Sequence, residues 1–193
     1  MITTGVILAG GRSSRMGENK ALLSVNGEKI IELIATRLRK LFKSVIIISN
    51  TPDDFNFLGL KIFEDIYPGL GPLAGIHSGL VNSKEEKNFI ISCDLPLISE
   101  EAIKYISEYD SEKPAIIFRK NEQLQYLCGV YKKDLIPLLE DSLKRKELRL
   151  FDLMKKINPE IVEANQFPDE VFFNLNNKED YLLLKEIISN KKI

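Results

Sequence analysis

Thr4-Gly5-Val6-Ile7-Leu8-Ala9-Gly10-Gly11 is the stretch on which the reading of this chain turns. A short apolar run without alternation, halted by Ala9-Gly10-Gly11, predicts a strand buried on both faces and closed by a glycine turn. Outward from it, residues 28–42 carry Ile30, Ile31, Ile34, Leu38, Leu41 and Phe42 at helical spacing. Residues 44–49 (SVIIIS) predict a second buried strand and residues 60–63 a third. Residues 72–81 follow Gly69-Leu70-Gly71 and predict a helix with Pro72 in its first turn, where the missing N–H costs nothing. Residues 88–92 (NFIIS) predict a strand ending at Cys93-Asp94, and Ser99 opens the next helix with Glu100 and Glu101 favouring its dipole. Strands over 114–118 and 124–131, helices over 132–144 and 150–157, a late strand over 170–173 and a terminal helix over 178–189 complete the pattern. Such alternation predicts an α/β fold with a mainly parallel sheet.

The chain has 193 residues, 44% of them hydrophobic and 28% charged, which suits one domain with a proper core. A formal net charge of -1 argues against a nucleic-acid partner, which needs a basic face. Cys93 and Cys128 lie far apart and outside any C-x-x-C pair, so reduced, buried thiols are expected instead of a zinc site or a disulfide. The start MITTGVILAGG lacks the features of a secretory leader, and no apolar stretch reaches the roughly 20 residues that span a bilayer. A cytoplasmic location without membrane contact is expected.

Ligands of open α/β sheets bind beyond the carboxyl ends of the strands. Three polar features fall there: the glycine loop, Asn50 after the second strand, and Asp94 after NFIIS. The loop runs Gly10-Gly11-Arg12-Ser13-Ser14-Arg15-Met16-Gly17-Glu18-Asn19-Lys20. Its glycines let backbone N–H groups approach an anion, and Arg15 and Lys20 add charge. Neither G-x-G-x-x-G nor G-x-x-x-x-G-K-[ST] fits, because Gly10 and Gly11 are adjacent and Glu18 follows Gly17. Taken alone, the loop also fits an ordinary βα turn, and an isolated Asp94 fits a cap.

The full string Leu8-Ala9-Gly10-Gly11-x-Ser13-x-Arg15-Met16-Gly17-x-x-Lys20 closely resembles the signature of nucleotidyltransferases that include the molybdenum cofactor guanylyltransferases. Downstream, Phe63-Glu64-Asp65, Gly71-Pro72-Leu73-Ala74-Gly75-Ile76, Cys93-Asp94-Leu95-Pro96 and Phe173-Asn174-Leu175-Asn176 resemble further family motifs in order and spacing. The resemblance implies a three-layer, Rossmann-like nucleotidyltransferase fold formed by one domain over residues 1–193. It implies a nucleotide site of Leu8, Ala9, Gly10, Gly11, Lys20, Asn50, Asp65, Gly75 and Asp94. Within it Asp65 reads guanine, whose adjacent N–H donors suit a carboxylate. Arg15, Lys20 and Asp94 would be catalytic, and Asp94 would hold Mg²⁺. Arg149, Asn174 and Asn176 would lie on the acceptor side. His77 receives no role, since a lone histidine on a helix face is more often structural, and Asn176 or Asn177 also fits a cap for the last helix.

The activity so implied is transfer of GMP from GTP to molybdopterin with release of pyrophosphate. GTP and molybdopterin are then the partners, with other molybdenum-cofactor proteins as further candidates. The pattern departs at Tyr126, where relatives often carry proline, and at Asn177-Lys178, where they often have Thr-Pro. Two other readings stay open: a CTP- or UTP-dependent enzyme with another phosphate acceptor, and a non-catalytic nucleotide-binding adaptor.

Overall fold

The computed structural model describes residues 4–10 and 19–190. Its first strand, β1 (Thr4–Leu8), is buried at every position, as an apolar run without alternation requires. A small hairpin follows, in which β2 (Ser24–Val25) pairs antiparallel with β3 (Glu28–Lys29) around Asn26 and Gly27, both at positive φ. The expected helix over residues 28–42 therefore loses its first two positions, and Asn26-Gly27 was the hairpin signal in the sequence. Helix α1 (Ile30–Leu41) starts where the Lys29 N–H donates to Glu32 Oε2 at 2.7 Å.

The chain continues through β4 (Ser44–Ile48), β5 (Lys61–Phe63), α2 (Pro72–Asn82), β6 (Lys87–Ser92) and α3 (Glu100–Ser107). Ser99 caps α3, its hydroxyl accepting from the Ala102 N–H at 3.1 Å. Then come β7 (Ala115–Lys120), β8 (Gln123–Lys132), α4 (Ile136–Lys144), α5 (Leu150–Ile157), β9 (Glu160–Glu163) and α6 (Lys178–Asn190). Asn177 caps α6 reciprocally with Asp180, whose carboxylate accepts from the Asn176 and Asn177 N–H groups.

Two expectations are corrected. Residues 170–173 are not a strand: Asp169–Phe172 is a 3₁₀ turn led by Pro168, which turns Val171 and Phe172 into the core. The late strand is β9, where only Val162 is buried, too weak a pattern to read beforehand. Likewise Lys132 ends β8, and α4 forms only after a 3₁₀ turn over Lys133–Leu135.

The main sheet has seven strands in the order β5-β4-β1-β6-β8-β7-β9. Pairs β5/β4, β4/β1, β1/β6 and β7/β9 are parallel, while β8 runs antiparallel to both its neighbours. Successive side chains of a strand go to opposite faces, so the sheet separates two cores. One face packs Ile7, Ile47, Phe89 and Ile91 against α1 and α3; the other packs Val6, Leu8, Ile46 and Ile90 against α2, α4 and α5.

Helix α2 lies unusually close to β1. A Cβ on Gly79 would stand 2.8 Å from Val6 Cγ1, and one on Gly75 would stand 3.3 Å from Leu8 Cδ2. Glycines one helical turn apart thus let the N-terminal end of α2 approach the carboxyl end of β1. In the other half, β7 and β8 part company. Ile117 pairs with Gly129 but Phe118 pairs with Gln125, so Tyr126, Leu127 and Cys128 bulge from the β7 ladder.

Candidate active site

The carboxyl ends of β1, β4, β5 and β6 lie side by side, because these four strands are parallel neighbours. Ala9 continues the ladder, its N–H donating to Ile48 O at 2.9 Å, and the Cys93 N–H donates to Leu8 O at 3.1 Å. The Leu8 and Ala9 side chains are buried, and Gly10 is exposed at the sheet edge. Gly11 and Arg15, expected in the nucleotide and catalytic sets, lie outside the described residues.

Lys20 enters through a local device. Asn19 Oδ1 accepts from the Ala21 N–H at 3.1 Å, capping a 3₁₀ turn over Lys20–Leu22 whose Ala21 is buried. From that turn the Lys20 ammonium lies 3.3 Å from Asp94 Oδ2 and 3.3 Å from Leu175 O. Asp94 follows β6, and its main-chain oxygen accepts from the Leu175 N–H at 2.8 Å. Loop, strand end and returning C-terminal segment therefore meet at one ammonium and one carboxylate. Both side chains keep about a fifth of their surface exposed, 22% for Lys20 and 20% for Asp94. They can therefore reach a ligand.

Asn174 and Asn176 flank Leu175; the Asn174 amide donates to Phe172 O at 3.4 Å, and Asn176 is exposed. The segment is placed from a distance. Buried Lys120, at the end of β7, reaches Phe167 O at 2.6 Å and Asp169 Oδ1 at 2.9 Å. Phe118 packs edge-on against Phe172 and Phe167, with ring centroids 5.1 and 6.0 Å away. Sequence reasoning assigned nothing to Lys120, Phe118 or the Leu175 backbone, and a lysine at a strand end carries no signal of this role.

A second cluster forms between β4 and β5. Their register pairs Ile48 with Phe63, and Ser49 N–H extends the ladder to Phe63 O at 2.9 Å, which brings Asn50 opposite Asp65. Asn50 Nδ2 donates to Asp65 Oδ2 at 2.8 Å, and the Asp65 N–H donates back to Asn50 Oδ1 at 3.1 Å. Asp65 Oδ1 is buried and has no hydrogen-bond partner among the described residues. Burial raises the carboxyl pKa above its ordinary value, and the Asn50 hydrogen bond partly offsets that. Gly10 borders this cluster, its Cβ position being 3.9 Å from Asp65 Oδ2.

Other expected residues sit apart. Gly75 is buried against Leu8 in α2. Arg149 stands at the start of α5, in a shallow cleft of about 680 Å³ that Lys146, Asp152, Lys155 and Lys156 also line. Cys93 and Cys128 are free and buried, and burial pushes the Cys93 thiol up to about 12, so it stays protonated beside Asp94. His77 is buried between Tyr67 and Glu140, with its Nε2 3.4 Å from Glu140 Oε1.

Among the described residues no group of three or more His, Cys, Asp or Glu side chains could cage a metal. One carboxylate beside an ammonium instead fits Mg²⁺ arriving on a triphosphate, since that ion keeps waters and substrate oxygens and uses one or two protein carboxylates.

A sequence profile for the MobA-like NTP transferase domain matches residues 5–159. The chain is 36% identical over 194 residues, 98% of each chain, to a protein of Carboxydothermus hydrogenoformans named probable molybdenum cofactor guanylyltransferase. Among solved structures it resembles a putative protein of Aquifex aeolicus, with a TM-score of 0.81 and 32% identity over 91% of this chain and 94% of the other. It also shares its fold with molybdopterin-guanine dinucleotide biosynthesis protein A of Archaeoglobus fulgidus, with a TM-score of 0.84 and 19% identity over 97% of this chain and 100% of the other.

Proposed function

This chain belongs to the MobA-like NTP transferase family, and from that premise we propose that it transfers GMP from GTP to molybdopterin, releasing pyrophosphate. The observation that carries this reading is the pairing of two clusters on one sheet edge. Lys20 and Asp94 form a charged pair suited to a triphosphate, and Asp65 offers a buried acceptor suited to a base with N–H donors.

The acceptor phosphate is already an anion at neutral pH, so no strong general base is needed. Positioning and charge neutralisation then dominate catalysis. Asp94 is the residue to hold Mg²⁺, which when bound neutralises triphosphate charge. Lys20 binds phosphate oxygens, and its contact with Leu175 O aims the ammonium inward. Asp65 orients the guanine. Arg15 assists the leaving pyrophosphate from the sequence motif alone, and Gly11 belongs to the same loop. Arg149, Asn174 and Asn176 are assigned to the acceptor. No described helix is long and apolar enough to cross a membrane. A cytoplasmic site of action is supported by the two free thiols.

The test is pyrophosphate release from GTP and molybdopterin with Mg²⁺, together with thermal shifts by GTP, CTP and UTP. GTP alone should raise the melting midpoint, because a ligand stabilises only the state that binds it. Asp94→Ala should abolish turnover while the fold survives, since only its backbone oxygen bonds Leu175. Equal shifts by all three nucleotides, or turnover by Asp94→Ala with Mg²⁺, would sink the reading.

A further inference from the structure

We propose that Asn50 sets base specificity through Asp65: its amide is a positioning group that holds the carboxylate so that Oδ1 stays available to the base. This rests on the reading of Asp65 as the guanine acceptor. It gives Asn50 a role beyond the nucleotide contact that the family resemblance implies.

The geometry follows from sheet register. Ile48 lies opposite Phe63, so Asn50 and Asp65 face each other just beyond the paired strands. The two then share a reciprocal pair of hydrogen bonds, 2.8 Å from Asn50 Nδ2 to Asp65 Oδ2 and 3.1 Å from the Asp65 N–H to Asn50 Oδ1. The Asn50 carbonyl is committed to the Asp65 backbone, and its NH₂ group is turned onto the carboxylate. From the other side the Ile66 N–H donates to Ser78 Oγ on α2 at 2.9 Å, so the backbone around Asp65 is pinned twice.

The consequence lies in the remaining oxygen. Oδ1 is buried and has no partner among the described residues, an arrangement that is costly for a polar atom unless a ligand completes it. Without Asn50 the carboxylate could rotate, and Oδ1 and Oδ2 would both lose their fixed directions. The same hydrogen bond favours the charged form against the desolvation that opposes it. Guanine offers two adjacent N–H donors and hypoxanthine only one. Oδ2 keeps a second lone pair beside its bond from Asn50, so a fixed, ionised carboxylate accepts from both donors and distinguishes the bases; a loose one does so less well.

The experiment is a double-mutant cycle on the full chain, measuring Kd for GTP and for inosine triphosphate, which lacks the 2-amino group. Asn50→Ala and Asp65→Ala are each expected to weaken GTP binding about ten- to hundredfold, as for a hydrogen bond to a charged group. Added to Asp65→Ala, Asn50→Ala should cost much less than it does alone, and both should shrink the GTP preference over inosine triphosphate. The GTP-binding pH midpoint should also move up in Asn50→Ala, a change that a merely structural role would not produce. Asn50 is exposed, so the melting midpoint should hold, and Asn50→Ser should behave like the alanine variant because its hydroxyl falls short of Asp65.

Additive losses in the double variant overturn the proposal by showing that Asn50 acts independently of Asp65, and an unchanged nucleotide preference in Asn50→Ala overturns it by removing Asn50 from base specificity. Wild-type GTP affinity in Asp65→Ala is a different failure: it removes the guanine-acceptor role of Asp65 itself.

Discussion

The parallel half of the sheet and the mixed half build the same site in different ways. In the parallel half, β4, β1 and β6 end at one edge, so Asn50, Gly10 and Asp94 arrive there because each simply follows its strand. In the mixed half, β8 reverses direction, and the chain contributes by a long return. After β9 it crosses the top of β7 and lays Leu175 against Asp94 at 2.8 Å. The first half needs only parallel pairing to collect its residues. The second needs side chains that do no chemistry, among them Lys120 and the Phe118–Phe167–Phe172 cluster. Damage to the first half should therefore change reaction or binding at nearly constant stability. Damage to the second should lower stability and activity together.

The largest effect that can break this contrast is expected from Phe118→Ala. Phe118 is fully buried, so truncation should cost about 3–5 kcal/mol and lower the melting midpoint by roughly ten degrees. Turnover should fall with it as the return segment loosens. A stable Phe118→Ala protein with normal turnover would show that the segment needs no such anchor. On the other side of the contrast, Lys20→Ala should reduce kcat on the order of 10²–10³, with a melting midpoint close to wild type. A collapse of stability instead would make Lys20 a structural cation.

Lys120→Met comes next, with a loss of about 1–3 kcal/mol, because it leaves the Phe167 carbonyl without its donor. Denaturant titration measures this, and kcat should drop although Lys120 touches no substrate. Gly10→Ala sharpens the parallel half. The new Cβ would sit 3.9 Å from Asp65 Oδ2, an ordinary contact, so stability should be unchanged. GTP affinity should nevertheless fall about tenfold as the methyl takes room beside the base acceptor. Equal affinities would remove Gly10 from the nucleotide wall.

The smallest expected effect is a pH dependence. Burial raises the Asp65 pKa in the folded state, so the native protein holds this proton more tightly than the unfolded chain. Its contribution to stability therefore improves as pH falls through the folded pKa toward the ordinary carboxyl value. GTP affinity should move the opposite way and weaken over that window, as the protonated carboxyl loses acceptor capacity. Calorimetric titrations across mildly acid pH, with Asp65→Asn as the flat control, check both signs.

Legibility in the sequence follows the same division. Buried parallel strands announce themselves as unbroken apolar runs, and TGVIL, SVIII and KNFIIS were located within a residue or so. Their end residues Asn50 and Asp94 could be placed with them. The partnership of Asn50 with Asp65 was not legible, because it depends on the β4–β5 register, and no run of residues states which position of one strand faces another. Strand β9 escaped notice since one buried valine among exposed residues leaves no period to read. Residues 170–173 looked like a strand because Val171, Phe172 and Phe173 are apolar, whereas Pro168 turns that segment into a 3₁₀ coil. The cap at Asn177 was visible as a possibility and became definite only through the reply from Asp180.

By itself the sequence determined the buried strands, the helices between them and the chemistry placed at strand ends, because period, caps and glycine turns act over a few neighbouring residues. Tertiary structure alone decided that Lys20 meets both Asp94 and Leu175, that Asn50 grips Asp65, and that Lys120 anchors the return. Those contacts join residues far apart in the chain. Their partners are chosen by strand order and register, which only the packed sheet fixes.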